Sequence, residues 1–403
     1  MAARGLDAVL VAVDEYYSPY LDYLVGAVSM GHGLAIKARG AEPVLFANPM
    51  ETEEAAASGK QVFSITDMGW YDLLSANGND RVKAEVGLWG RCLAQVGLER
   101  GKIGIYGVGD VHVMLDFIEM VKAAHPQYTF VGETGRTLFD EAGLTKDAQE
   151  LERIKSVAAR TSTVLQMTWD FIAGHKATGE TVVKDDGTPL TIGEVKRFIR
   201  RALMDHELEE AHMIFAQGRD GGFPHSRGQA EMPLMLGQAI VFDLFPRELG
   251  GGYFHDVTRT WCIGYAPDDV RETYNTVMEA FDISIEAYGL NKPTHLMQEA
   301  VLDYFESKGH PTSRSQPGTI NGYVHSLGHG IGLKIHEKPS ITHLRQDDIF
   351  QVGNVVTIEP GLYYPEKGYG VRIEDALYVA EDGSLVTLTD FHKELVIPLQ
   401  SVE

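Results

Sequence analysis

Cysteine is nearly absent. Cys92 and Cys262 are the only two in 403 residues. Two thiols cannot supply a disulfide framework or a Cys-based zinc site, and as small buried apolar side chains they suit a reducing compartment. Positive charge is also short. The chain has 35 Lys and Arg against 57 Asp and Glu, a formal net charge of −22. That balance excludes a broad grip on nucleic-acid phosphates and disfavours an anionic membrane surface. Long apolar runs are missing. Residues 1–7 lack the apolar stretch of a secretion signal, and the run at 8–13 is far below the roughly 20 residues that span a bilayer. The expectation is a cytoplasmic protein whose partners are neither nucleic acid nor membrane. There is no low-complexity tract and no short-period repeat. What remains is an ordinary globular composition, 44% hydrophobic and 23% charged, over a length that suits two domains.

The first part alternates short apolar runs with helical spacing. Residues 8–13, 43–47 and 102–106 read as buried strands, and 80–96 and 111–124 as helices. The alternation predicts an α/β domain with a mostly parallel sheet over residues 1–145. A boundary falls at 143–147, with Thr145 placed to cap a helix that runs towards Ile172. Residues 146–403 form the second domain. There 192–204, 268–288 and 294–307 read as helices, 213–216 and 239–244 as strands, and 323–399 mostly as strand and turn. This is an α+β pattern with helices packed on a strand-rich core.

The second domain carries acids and imidazoles beside runs that should be buried. Asp243 follows Ile240-Val241-Phe242. Asp256 precedes Val257-Thr258. His329 lies in His325-Ser326-Leu327-Gly328-His329-Gly330, Glu359 closes Val355-Val356-Thr357-Ile358-Glu359, and Glu374 follows Val371-Arg372-Ile373. Each alone has a simpler account: a strand end, a core histidine, a turn acid before Pro360-Gly361, a solvated edge. Together they are harder to explain that way, because buried carboxylates are costly unless paired or bound to a cation. Four carboxylates and an imidazole exceed one tetrahedral zinc. They suit two oxygen-preferring divalent ions about 3.5–4 Å apart.

These spaced segments resemble the pita-bread metallopeptidase family of prolidases, proline-specific aminopeptidases and methionine aminopeptidases. The first domain resembles the N-terminal domain of the prolidase and creatinase branch. The resemblance implies a creatinase-like α/β domain followed by a pita-bread catalytic domain. It implies Asp243, Asp256, His329, Glu359 and Glu374 as metal ligands, with Asp256 and Glu374 bridging. It implies two divalent ions per subunit, manganese foremost, with cobalt, zinc or iron as alternatives. His225, in Gly222-Phe223-Pro224-His225, resembles the substrate-facing histidine. His325 and His336 resemble the pair that handles the scissile amide, and Arg372 resembles the arginine supporting the ligands. Arg345 resembles the arginine that holds a proline carboxylate; its alternative is a surface loop arginine. A homodimer is also implied. One departure stands out: residues 245–251 make a longer turn between the two aspartates, read as a lengthened hairpin tip that reshapes the pocket rim without moving the ligands.

The implied reaction is hydrolysis of a peptide bond by water activated between the ions. Glu359 takes its proton, His336 helps hold the oxyanion, and His225 or His325 serves the leaving nitrogen. The substrate class is a small peptide, an Xaa-Pro dipeptide or a peptide beginning Xaa-Pro. The alternatives are a peptidase of broader specificity such as a metal-dependent carboxypeptidase, a creatinase-like hydrolase, or a pita-bread module that binds without catalysis.

Overall fold

In the first unit, residues 1–142, the run 8–13 becomes the central strand of a six-stranded sheet. Five of its six side chains are buried, which accounts for a run that is apolar without alternation. The computed structural model describes residues 1–210, 212–399 and 401–402. The sheet order is Gln61–Ser64, Val44–Ala47, Gly33–Ala38, Ala8–Val13, Gly101–Gly107, Tyr128–Val131. It is mixed. Ala8–Val13 pairs antiparallel with Gly33–Ala38, which pairs antiparallel with Val44–Ala47, and the other three pairings are parallel. The short link 39–43 favours a hairpin return between Gly33–Ala38 and Val44–Ala47, whereas 14–32, which carries the helix Pro19–Val25, joins the first two strands. Helices Arg81–Gln95 and Val111–Ala124 cover the sheet. Trp89 of one meets Phe117 of the other edge-on, ring centroids 5.1 Å apart.

The second unit spans residues 143–403 and opens with the helix Ala148–Ala173. Its cap is Asp147 and not Thr145. The Asp147 carboxylate accepts from the amides of Gln149 and Glu150, while the Glu150 carboxylate accepts from the amide of Asp147. This reciprocal box satisfies donors that a threonine two residues earlier would not reach. The helix Ile192–Asp205 starts with the same device, Thr191 with Glu194. Helices Asp268–Glu286 and His295–Ser307 pack on the strand core around Phe305, Tyr323 and Phe350, all fully buried.

Two sheets and a hairpin bring the ligand-type residues to one place. The first sheet runs Ile214–Gln217, Ala239–Leu244, Val257–Ile263, Val396–Ile397. The second runs Glu337–Ile341, Gly328–Gly330, Val355–Ile358, Asp375–Val379, Leu385–Thr387. The hairpin pairs Gly361–Tyr364 with Tyr369–Arg372. Every side chain of Ala239–Leu244 and of Val257–Ile263 is buried, and Asp243 lies opposite Thr258.

Residues 245–251 lengthen the hairpin as expected: Arg247 bridges Phe254, and the His255 and Glu248 amides bond the Pro246 and Tyr253 carbonyls, in the register of the two strands. The other edge of Arg247–Glu248 pairs with Leu208–Glu209. Arg247 Nε donates to Glu209 Oε1 at 2.7 Å, and Arg153 Nη2 donates to Glu248 Oε2 at 2.5 Å. The excursion is docked on the helix Ala148–Ala173, and the Asp243 and Asp256 ends keep their sheet register.

Candidate metal centre

A cavity of about 500 Å³ opens where the two sheets and the hairpin meet. Its lining includes Asp243, Asp256, His329, Glu359 and Glu374, together with His225, His325, His336 and Arg372. Strand register explains the convergence. Asp256 immediately precedes the Val257–Ile263 strand, and Thr258 bridges to Glu374 across the sheets, the Glu374 amide donating to the Thr258 carbonyl at 3.0 Å. His329 is the middle residue of a three-residue strand, and Glu359 is fixed just beyond its own strand by its amide bonding the Leu327 carbonyl at 2.8 Å.

Ligand-type atoms of Asp256, His329 and Glu374 all lie within 4.8 Å of one another. His329 Nε2 is 3.6 Å from Asp256 Oδ2 and 3.7 Å from Glu359 Oε1. Its other nitrogen, Nδ1, lies 3.0 Å from the Gly330 carbonyl and donates to it, so the tautomer leaves the Nε2 lone pair facing the carboxylates. Burial, with His336 alongside, holds the His329 imidazole down to about 4, so it is neutral near pH 7. That is the form a metal needs.

The carboxylates show why the residues fit a cation. Burial pushes Asp256 well above the usual range, and Asp243 and Glu359 push it further. Glu374 is raised the same way by burial and then by Asp256, Glu359 and Asp243. Glu359 is pushed up to about 8 by burial, with Asp243 adding and Arg372 opposing. Asp243 Oδ1 and Asp256 Oδ1 are buried with no hydrogen-bond partner. Two unsatisfied carboxylate oxygens amid crowded negative charge are what shared divalent cations would satisfy. The donor set, oxygen-rich with one imidazole, suits such ions.

The surrounding groups are tightly bonded. Arg372 is buried and donates to Asp243 Oδ2 at 2.5 Å, Thr258 Oγ1 at 3.0 Å, the Tyr363 hydroxyl at 2.9 Å and the Pro224 carbonyl at 3.2 Å. Thr258 Oγ1 donates to Glu374 Oε2 at 2.7 Å. His325 has both ring nitrogens engaged: Nδ1 with the Ser326 carbonyl at 2.7 Å and Nε2 with the Tyr363 hydroxyl at 2.9 Å. Burial holds its imidazole down to about 3, with Arg372 contributing. His336 packs edge-on against His329, centroids 4.4 Å apart. Its neighbour Glu337 is pinned by Lys146, Nζ to Oε2 at 2.7 Å. Behind the ligands, Arg259 donates to the Glu374 carbonyl at 2.7 Å and to Asp375 Oδ1 at 2.8 Å.

Arg345 stands apart. It is exposed after the Glu337–Ile341 strand and is not among the lining residues. Sequence reasoning did not single out Thr258, Tyr363 or Arg259, nor Arg227, Phe245 and His212, which line the cavity. Thr258 had a readable signal: it sits two residues from Asp256, so both face the same side of a strand.

Residues 152–381, more than half of the chain, match the family model for metallopeptidase family M24. The chain belongs to metallopeptidase family M24. Membership implies divalent metal ions, and the residues gathered in this M24 cavity fit them. Among curated relatives, the chain is 33% identical over 183 residues to the Xaa-Pro dipeptidase of Pyrococcus furiosus, 45% of this chain and 48% of that protein. It is 32% identical over 191 residues to the probable dipeptidase PepE of Mycobacterium tuberculosis, 47% of this chain and 48% of that protein. The match spans about half the length of these relatives. The fold matches the crystal structure of an X-Pro aminopeptidase from Thermotoga maritima with a TM-score of 0.76 and 20% identity, over 98% of both chains. The α/β unit followed by the α+β M24 unit is therefore the architecture expected from the sequence. Among the described residues, no helix is long and apolar enough to cross a membrane.

Proposed function

We propose that this M24 chain is a two-metal peptidase that cleaves the Xaa-Pro bond of small peptides, a dipeptidase before an aminopeptidase. The observation that carries the reading is the convergence of Asp243, Asp256, His329, Glu359 and Glu374 on one cavity, with two of their oxygens lacking a protein partner. These five side chains would hold two divalent ions per subunit, with Asp256 and Glu374 between them and manganese as the expected metal.

Bound ions of this kind supply Lewis acidity that activates water and polarises a carbonyl near neutral pH. The chain's own groups do the rest. Glu359 accepts the proton of the attacking water; its carboxylate lies 4.0 Å from His325 Nδ1 and 3.7 Å from His329 Nε2. His336, exposed beside His329, donates to the developing oxyanion. His225, which has no hydrogen-bond partner among the described residues, serves the leaving nitrogen. His325, with both nitrogens committed, acts by holding Tyr363 in place against Arg372. The amide before proline is tertiary and carries no N–H, so it needs a site that does not rely on that donor. Phe245 and Ile335 give the lining an apolar portion for the ring. The curated relatives named for dipeptidase activity support the same reading. We also infer a homodimer in a reducing, cytoplasmic setting, the latter supported by two free, buried cysteines.

The test is product mapping by mass spectrometry on the manganese-loaded chain. It would be offered a free Xaa-Pro dipeptide, a longer peptide beginning Xaa-Pro and an N-acetylated peptide with a free C-terminus. Cleavage of the dipeptide is expected. Loss of the last residue from the acetylated peptide, with the dipeptide intact, would contradict the proposal and favour a carboxypeptidase.

A further inference from the structure

The cavity needs a positive group if its substrate ends in a carboxylate beside four carboxylate side chains. Two lining residues carry permanent positive charge, Arg227 and Arg372. Arg372 is spent on Asp243, Thr258, Tyr363 and Pro224. The Arg227 guanidinium makes no hydrogen bond or ion pair among the described residues. Its backbone, by contrast, is fixed. The buried Lys196 ammonium donates to the Arg227 carbonyl. The next residue, Gly228, has φ +71°, and a Cβ there would lie 2.1 Å from the Phe215 carbonyl oxygen, so the chain approaches the Ile214–Gln217 strand too closely for a side chain. The result is a free planar cation on an anchored stem, two residues from His225 and facing the same cavity.

We propose that Arg227 is the residue that recognises the substrate's free C-terminal carboxylate, and so sets the preference for dipeptides over longer or amidated peptides. This rests on the peptidase reading above. A guanidinium pairs with a carboxylate through two parallel hydrogen bonds, which an amide terminus cannot match. A cavity of about 500 Å³ lies within the range of small-ligand sites, roughly 300–1,000 Å³. Arg345, exposed and away from the lining, is the internal comparison.

The experiment compares Arg227→Ala, Arg227→Lys and Arg345→Ala with wild type on the manganese-loaded full chain, using alanyl-proline and alanyl-prolinamide. The readout is the acid-to-amide ratio of kcat/KM. Wild type favours the acid. Arg227→Ala lowers the ratio about 10- to 100-fold, chiefly through KM for the acid, and Arg227→Lys recovers part of it. Equal losses on both substrates, no acid preference in wild type, or collapse of the ratio in Arg345→Ala alone would each overturn the proposal. Calorimetry with L-proline and L-prolinamide reads recognition without turnover. If wild type cleaves neither substrate, the peptidase reading fails. Arg227 is then judged by binding: proline preference lost in Arg227→Ala upholds its role, and equal or absent binding of the two probes in wild type overturns it.

Discussion

Arg372 and Asp243, 129 residues apart in sequence, meet with Nη2 2.5 Å from Oδ2, both nearly out of solvent. The pair ties the hairpin strand Tyr369–Arg372 to the sheet strand Ala239–Leu244 and commits one oxygen of Asp243 to the guanidinium, leaving Oδ1 unpartnered. Arg372→Met leaves a buried carboxylate without its counter-charge. Loss of one partner of such a pair costs about 3–5 kcal/mol. Urea unfolding in the presence of a chelator should show that loss, and adding manganese should recover part of it. An unchanged midpoint in chelator would count against the pairing.

Thr258 links the same cluster from the other side. Its hydroxyl donates to Glu374 Oε2 and accepts from Arg372 Nε. Thr258→Val keeps the shape and removes both bonds. Groups that orient a metal ligand typically change affinity 10- to 100-fold when lost, so manganese affinity should fall by about that factor. Thr258→Ser should restore most of it. Chelator competition checks this, and wild-type affinity in the valine variant would remove Thr258 from the account.

The helix cap gives a prediction independent of metal. Asp147→Ala breaks the reciprocal bonds with Glu150 and should cost about 1 kcal/mol, a fall of roughly 2–4 °C in the Tm of the second unit. Thr145→Ala should shift it by less than half as much. The reverse order would restore Thr145 as the cap.

Acid sensitivity should also have a local source. Arg314 grips Glu306 through Nε at 3.1 Å and Nη2 at 2.7 Å, and Thr312 Oγ1 donates at 2.6 Å. The Arg314 hydrogen bond chiefly holds the Glu306 carboxyl below its ordinary 4.5. A lowered folded pKa means stability that is present above pH 4.5 and lost as pH falls through the folded value. Glu306→Gln should therefore be less stable than wild type at pH 7, by under about 1 kcal/mol for a partly exposed pair. The gap should close in acid. A gap that widens as pH falls would contradict this.

Much of the site was legible because each ligand-type residue borders an apolar run, and burial of an acid is a signal that survives without coordinates. The strands Ala8–Val13 and Ala239–Leu244 were legible for the related reason that central strands are apolar on both faces. Thr258 and Tyr363 were not, because a hydroxyl gains its role from partners brought close by sheet register: Glu374 lies 116 residues from Thr258 and His325 lies 38 from Tyr363. Loop spacing fixes no direction for a side chain, so it could not show that Arg227 lines the cavity and that Arg345 does not. The 245–251 segment was legible as a lengthened tip, but not what it docks on, because Leu208–Glu209 and Arg153 are distant in sequence.

The most direct test of the central claim is metal stoichiometry by mass spectrometry of the reconstituted chain, wild type beside Asp256→Asn and Glu374→Gln. The account predicts two divalent ions per wild-type subunit and fewer than two in each variant, because on the proposed reading both ions would share each of these carboxylates. Two ions retained in both variants, or none in wild type, would contradict it.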